Sequence, residues 1–450
     1  MANDFRPYLI DQVRMFPGSP RDWLPEGHLA FFVHELVSQL DLRPILSVYA
    51  KGRGPRGYHP QMLLTVLLYG YCVGVFSSRK IAAHCETDVG FRVLSGGEFP
   101  DFRTLSDFRK RHLNTFKWLF VEILGLCREA ELVKLGHLSL DGSKYQANAS
   151  KHKAMSYGRI LEVQPELEAE VRELLERAGR TDAAEDAQYG RDRRGDELPK
   201  ELRRREGRLE KIRGAKARLE ARAQDRARER MEAKGASPEA VAEAEAAAVP
   251  AGREQSNFTD PESRILKLKT GWVQGYNAQV MVDEASGVIV AEEVVAQSTD
   301  SPRLVPMLDE TEANLEAVGI PPHERAAYAF TADAGYCSEK NLAELETRGI
   351  DAYVATGRER HYRGGIDPQG RPRAPLRAAM REKLRTEAGR TIYAKRKWVT
   401  EPVHGAIKQA RGFRQFLLRG LRSVQCEFAL VALTHNLLKL WRAQRRPAAA

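Results

Sequence analysis

Cysteine is scarce and scattered in this sequence. Among its 450 residues there are only five, Cys72, Cys85, Cys127, Cys337 and Cys426. No two are spaced as Cys-x-x-Cys, and their number is odd. This argues against a zinc knuckle or a disulfide framework and for a reducing compartment. Long apolar runs are also missing, so no stretch is suited to span a bilayer. The opening residues, Met-Ala-Asn-Asp-Phe-Arg, hold no apolar signal region. A cytoplasmic setting without a membrane partner is the expectation.

What the chain does have is enough apolar content, 42%, to bury a sizeable core, and a length that suggests two or three domains. It is basic, with a net charge of +10, which favours a polyanionic partner, nucleic acid or a membrane surface. The distribution of charge is more informative than the total. From Arg358 to Arg446 there are 22 Lys and Arg against 6 Asp and Glu, a local excess larger than that of the whole chain. Tyr393, Trp398, Phe413, Phe416, Leu417 and Leu418 are interleaved with that charge. A solvated tail would not carry them; a folded surface that holds phosphates would.

Residues 1–135 read as helical. Apolar residues recur at three and four spacing in "HLAFFVHELVSQL" and "PQMLLTVLLYGYCVGV". A third stretch after Pro100 carries Arg103, Arg109, Lys110, Arg111 and Lys117 ahead of an apolar end. Bundle packing explains its apolar residues, and a DNA-binding module would explain the basic ones as well, although no clear helix-turn-helix pattern is present. "HLSLD" at 137–141 alternates like a short strand. Residues 161–255 are rich in Glu, Arg, Ala and Leu and predict long exposed helices, an antiparallel hairpin being one arrangement. "AAAVPAGREQSNFTDPES" closes that segment as a loop. "GYNAQVMVD" and "GVIVAEEVV" predict a hairpin around "DEASG". Helix, strand, helix, strand and helix follow. With the charged segment set aside, this order fits a mixed sheet flanked by helices.

Two aspartates fall at predicted strand ends, Asp141 and Asp333, and Glu401 lies in the basic C-terminal region. Neighbouring strands are roughly 4.8 Å apart, so carboxylates at adjacent strand ends can share a hard cation. Each residue alone has a simpler explanation. Asp141-Gly142 is a common turn pair, Asp333 can cap a following helix, and Glu401 suits the first turn of one. Pro402 fits best at a first helical position, which would fix Glu401 at the helix edge with Gly405 and Lys408 on the same face. If the helix begins earlier, Pro402 must distort it.

Together, "LSLDGSKYQANASKHKAMSYGRI", "FTADAGYCSEKNL" and "YAKRKWVTEPVHGAIKQARGFRQFLLRGLRSVQCEFALVALTHNLLKL" resemble bacterial insertion-sequence DDE transposases, the eleven-eighty-two group in particular. "YHPQMLLTVLLYGYCVGVFSSRKIA" resembles the helical domain that precedes the catalytic core in those enzymes. The resemblance covers most of the chain outside the charged segment and the extreme ends. It implies an α/β, ribonuclease-H-like mixed sheet flanked by helices at 136–160 and 256–450. An N-terminal helical, DNA-binding domain would occupy 1–135, and 161–255 would be a charged helical insertion within the core. Asp141, Asp333 and Glu401 would be the catalytic, metal-binding carboxylates, holding two Mg²⁺ ions for which Mn²⁺ can substitute.

The family also has a signature of Tyr, two residues, Arg, three residues, Glu, six residues, Lys. Tyr393 and Arg396 keep their spacing here, as do Glu401 and Lys408, but four residues rather than three separate Arg396 from Glu401. That leaves open whether Arg396 or Lys397 meets DNA. His404 stands where an aromatic residue, most often Phe, is usual, which implies a packing change. Lys408, Arg396, Lys397, Tyr393, Trp398 and Arg411 form the expected DNA-binding set. For Trp398 the choice is between stacking on an extruded base and core packing, and Tyr393 has the same alternative. The implied partners are transposon terminal inverted repeats and target DNA, bound by a homodimer on paired ends. The rival readings are an inactive DNA-binding remnant and a nuclease on the same fold that joins nothing.

Overall fold

The computed structural model describes residues 20–49, 57–189, 200–232, 234–268, 271–325, 328–357 and 374–445. Seven helices come first: α1 (Leu29–Gln39), α2 (Arg43–Leu46), α3 (Pro60–Cys72), α4 (Ser78–Thr87), α5 (Val89–Leu94), α6 (Phe102–Arg111) and α7 (Leu113–Glu129). Strand β1 (His137–Gln146) and the short β2 (Ala154–Ser156) lead into α8 (Tyr157–Tyr189), α9 (Lys200–Glu232) and α10 (Pro238–Ala246). The chain returns through β3 (Gln255–Asn257), β4 (Arg264–Leu268), β5 (Gly271–Asp283) and β6 (Ile289–Val295). Then come α11 (Leu304–Ala317), α12 (Pro322–Arg325), β7 (Ala329–Ala332), α13 (Glu339–Thr347) and β8 (Asp351–Val354), followed by α14 (Pro375–Arg385), α15 (Glu387–Gly405) and α16 (Leu421–Gln444).

The central sheet is mixed. β5 lies antiparallel to β1, β1 parallel to β7, and β7 parallel to β8. β5 is long enough to serve two further partners on its other side. Its first half pairs with β4 and its second with β6. Ten of its thirteen residues are buried, as expected of a strand covered on both faces. The predicted β5–β6 hairpin and the helix–strand alternation after it are present. β3 and β4 were not foreseen: β3 falls in the stretch read as a loop. Its three polar residues carry no alternation. They pair with β2 at the neck where α8 leaves the core and the chain returns from α10.

α8 and α9 run antiparallel, since Tyr157 meets Glu220, Glu168 meets Arg213 and Glu170 meets Arg205. Ile160, Leu167, Leu209, Ile212 and Leu219 form a small core of their own between them. The N-terminal helices, by contrast, share one core with the sheet. Leu64 and Leu68 of α3, Phe116 and Ile123 of α7, and Leu430, Leu433 and Leu437 of α16 pack in the same cluster as Val280 and Ile289. α16 is buried nearly all round, which suits a helix wedged between layers. Its Asn436 accepts from the Ile289 amide and donates to the Ile289 carbonyl, both at 2.8 Å, where the β5–β6 ladder shifts register. All five cysteines are free and buried. Among the described residues no helix is long and apolar enough to cross a membrane.

One residue of the basic N-terminal stretch has a structural role. Arg109 is buried, donates to Tyr71 Oη at 3.0 Å and lies 3.9 Å from Glu427 of α16. Glu427 also accepts from the Leu417 and Leu418 amides, each at 3.0 Å. Removing Arg109 alone would leave that carboxylate buried without its counter-charge. Arg109→Met is expected to cost about 3–5 kcal/mol in urea unfolding, and Arg109→Met/Glu427→Gln distinctly less. Equal losses in the single and double variants would refute the pairing.

Candidate functional site

The parallel pairing of β1 with β7 builds the site. Leu140 stands opposite Ala332 at the last paired position, so Asp141 and Asp333 follow on each strand. In-register residues of parallel neighbours share a face, so both carboxylates point to the same side of the sheet. Asp141 is mid-strand, since β1 runs on beside β5. Asp333 leaves β7 and caps a short turn, accepting from the Gly335 amide at 2.7 Å. The capping explanation for Asp333 is therefore correct as far as it goes, and its side chain still lies close enough to Asp141 to act on its charge.

α15 covers that face. Arg396 NH1 lies 3.3 Å from Asp141 Oδ1, and the Thr400 hydroxyl donates to Asp141 Oδ2 at 3.4 Å. The Arg396 guanidinium also lies 6.0 Å from the centre of the Tyr393 ring. Burial works against the charge of Arg396, but Asp141, Tyr393 and Asp333 outweigh it, and its pKa is raised. Asp141 responds in the other sense. Burial, with Asp333 and Asp300, pushes its carboxyl up to about 6 against the pull of Arg396 and the Gly142 amide.

Asp300 was not foreseen. It lies between β6 and α11, in a stretch whose "TDSP" reads as an ordinary helix start. Asn277 and Gln279 of β5 donate to its Oδ1 at 2.7 and 3.0 Å. A Cβ on Gly142 would stand 2.9 Å from Asp300 Oδ1 and 2.6 Å from Gln279 Nε2, and a Cβ on Gly335 2.9 Å from Asp300 Oδ2. Both glycines thus make room for the Asp300 carboxylate. Tyr336 donates to Gln279 and completes the polar layer. A sequence signal did exist: glycine directly follows Asp141 and stands two residues after Asp333, where close approach is one reason for the residue.

The helix does not begin at Pro402. α15 starts fifteen residues earlier, with Thr386 as its cap, and runs through Pro402. Proline removes the N–H that would bond the Trp398 carbonyl, and a π-helical turn, Ala406–Ala410, follows directly. That turn breaks the 3.6-residue period, so Glu401 and Lys408 do not share a face. Lys408 turns to β1, donating to the Ser143 hydroxyl and, at 2.9 Å, to the Lys144 carbonyl, with its ammonium 4.2 Å from the centre of the Tyr145 ring. Burial lowers its pKa to about 8, with Asp141 opposing. Glu401 is exposed. Among the described residues no three His, Cys, Asp or Glu side chains stand close enough to hold one metal ion together.

Lys397 is exposed while Arg396 faces Asp141, so the two basic residues of the altered signature occupy different environments. Trp398 is 83% exposed, which rules out core packing for it. Arg411 is corrected from the DNA-facing set: only 8% exposed, it donates to Thr434 Oγ1 at 2.8 Å and the Val431 carbonyl at 3.1 Å of α16. His404 fills the aromatic position as a packed ring beside Tyr145, 3.3 Å from its hydroxyl. Burial, and then Lys408, hold its pKa to about 3, so the ring is neutral. Residues 358–373 of the basic C-terminal stretch lie outside the described residues.

A face of paired aspartates under a basic helix suits chemistry on a polyanion. Two family comparisons bear on this. Residues 253–437 match the family described as Transposase DDE domain, and residues 19–111 match Transposase domain (DUF772). Both support a DNA transposase function in general. Together they indicate an insertion-sequence DDE transposase family, whose members generally use divalent metals. Asp300, Asp333 and Glu401 lie inside the first match and Asp141 outside it. Neither curated proteins nor solved structures gave a match.

The glycines make a direct test of the packing. Gly142→Ala and Gly335→Ala are each expected to lose about 1–3 kcal/mol in urea unfolding, because the added methyl displaces Asp300. Gly405, within α15, has nothing within 4 Å of the corresponding methyl outside its own helix turn. Gly405→Ala should be neutral or stabilising by up to about 1 kcal/mol. Full tolerance of alanine at 142 would remove Asp300 from the layer described.

Proposed function

We propose that this transposase cleaves at transposon ends and transfers the exposed 3′-hydroxyl strand into target DNA, using Asp141, Asp333 and Glu401 on a ribonuclease-H-like core. In this reading the core comprises 136–160 and 256–450, the segment 161–255 is an insertion in it, and residues 1–135 contribute DNA binding. The observation that carries the proposal is the shared face of Asp141 and Asp333, set by the parallel β1–β7 register.

The donor set fits a hard divalent cation, Mg²⁺ with Mn²⁺ as a substitute, because the candidate ligands are carboxylate oxygens. Burial, with Asp333 and Asp300 beside it, raises the Asp141 carboxyl to about 6, a shift whose sign a bound cation would oppose. Asp141 and Asp333 would hold the ions, with Glu401 supplying the third carboxylate from α15. Two bound ions would activate the attacking hydroxyl and stabilise the leaving oxygen of the scissile phosphate. Arg396 and Thr400 keep the Asp141 carboxylate turned to the α15 face. Arg396 and Lys408 offer positive charge to the phosphate as negative charge builds on its oxygens. Lys397 and Trp398, both exposed on α15, are suited to meet the DNA flanking the cut, the indole by stacking on an unpaired base. Water attacks first and frees the 3′-hydroxyl, which then attacks target DNA in line. A homodimer on paired ends would bring two such sites together.

The test is a cleavage and joining assay on a plasmid carrying the coding sequence with its flanking DNA. Mg²⁺ or Mn²⁺ should support both cleaved and joined products, and chelation should abolish them. Asp141→Asn, Asp333→Asn and Glu401→Gln should each lower turnover by at least about a thousandfold, a loss of the size expected for essential members of one catalytic unit. DNA binding should persist in all three. Cleaved ends without joined products would point to a nuclease, and full activity in Asp141→Asn would end the proposal.

A further inference from the structure

At the foot of the α8–α9 hairpin lies a cleft of about 540 Å³ lined by Arg222, Arg226, Arg253 and Arg264, with Trp272 at its rim. We propose that this cleft is a DNA-backbone site, in which the insertion and the β4–β5 hairpin together grip phosphates of the strand leading into the carboxylate face.

Four guanidinium groups around one cleft are poorly balanced by the protein itself. Among the described residues Glu254 is the one acid in its lining, and it is taken up by Arg226, whose NH2 lies 2.7 Å from both of its oxygens; Glu262, outside the lining, also acts on Arg222 and Arg264. Arg222 and Arg264 have backbone partners instead. Arg222 donates to the Pro261 carbonyl, and Arg264 NH1 donates to the carbonyls of Pro261, Glu262 and Ser263 at 3.1, 2.8 and 3.0 Å. These contacts fix where the two groups stand and engage one nitrogen of each. A guanidinium has five N–H donors in a planar fork, so others remain for the paired oxygens of a phosphate. Burial, followed by Arg264 and Arg218, depresses Arg222 to about 10. A bound anion would relieve that repulsion. Arg253 is exposed, and the Trp272 indole is 55% exposed at the rim, where a flat ring beside cations suits a nucleic-acid strand.

Position connects the cleft with the candidate site. Its wall includes Gln297, Ser298 and Thr299. The next residue is Asp300, whose carboxylate lies against Gly142 and Gly335. A phosphate backbone lying in the cleft would therefore run toward Asp141 and Asp333. The composition of the insertion leaves its role open among a charged spacer without binding function, assembly and DNA binding. The cleft favours DNA binding at the foot, whatever the outer part of the hairpin does.

The inference rests on DNA being the substrate but not on the carboxylate chemistry, so the two can fail separately. The experiment measures binding of a random-sequence 30-base-pair duplex to the full chain from 50 to 300 mM salt, since phosphate contacts need no particular sequence. Arg253→Gln should reduce the slope of log affinity against log salt by about 1, and Arg222→Gln/Arg253→Gln by about 2. At 100 mM salt the double variant should bind roughly 60-fold more weakly, the loss that two phosphate contacts at a slope of about 0.9 each imply relative to 1 M salt. Arg204→Gln/Arg208→Gln removes the same charge from exposed positions farther along the hairpin and should change the slope little. Millimolar inorganic phosphate should compete no better than its ionic strength predicts. Asp141→Asn should leave the slope unaltered. Thermal melting of each variant keeps folding defects apart from binding defects, and Arg253, being exposed, tolerates glutamine. An unchanged slope in folded Arg253→Gln and Arg222→Gln/Arg253→Gln would overturn the proposal. So would an equal effect from the Arg204/Arg208 pair, which would indicate diffuse charge rather than a site.

Discussion

Parallel pairing between β1 and β7 is the constraint on which the rest depends. Asp141 and Asp333 are about 190 positions apart in the chain, and no local preference could bring them together. A one-residue slip would turn one of the aspartates to the opposite face. Several features hold the register. His137 bonds Thr331 at 2.9 Å and Thr331 bonds Ser139 at 2.9 Å on the face that carries both aspartates. Phe330 and Leu138 are buried on the other face. A polar ladder on one side and an apolar one on the other leave a single acceptable alignment.

The candidate site joins like charges that the fold balances unevenly. Arg396 is the cation directly on Asp141, while Asp333 and Asp300 both oppose ionisation of that carboxyl. Such unrelieved tension is uncommon where a group serves packing alone and is typical of sites prepared for a ligand. Tyr336 and Gln279 lock the layer beneath, and the two glycines let the carboxylates approach where any other residue would hold them apart.

Much of the sheet was legible because its strands carry strong local signals. β1 alternates, β5 and β6 flank a turn, and β7 and β8 alternate with amphipathic helices. β3 was not legible, because three polar residues paired across a neck have no periodicity to read. For α15 two courses were open, a start at Pro402 or an earlier start that runs through it, and the structure takes the second. Pro402 has a strong local preference for a helix start, and tertiary packing of Val399, Thr400 and Val403 overrides it. Charge was the most misleading guide to surface. Arg109 and Arg411 both belong to basic stretches, and both are buried hydrogen-bond donors that tie helices together. Asp300 escaped notice because a lone aspartate before Ser-Pro looks like an ordinary cap. Only the two glycines opposite it reveal its place, and their meaning depends on contacts across the sheet.

The order of elements along the chain also has a consequence for synthesis. β1 leaves the ribosome early, yet its parallel neighbour β7 follows only after the whole hairpin and the β4–β6 segment have been made. α15, which covers the aspartates, and α16, which fills the space between the sheet and the first helices, come last. A nascent chain therefore has its N-terminal helices exposed on one side until translation is almost complete. Premature termination between α7 and α15 yields a product that retains the first seven helices but lacks the helix that covers the acidic face.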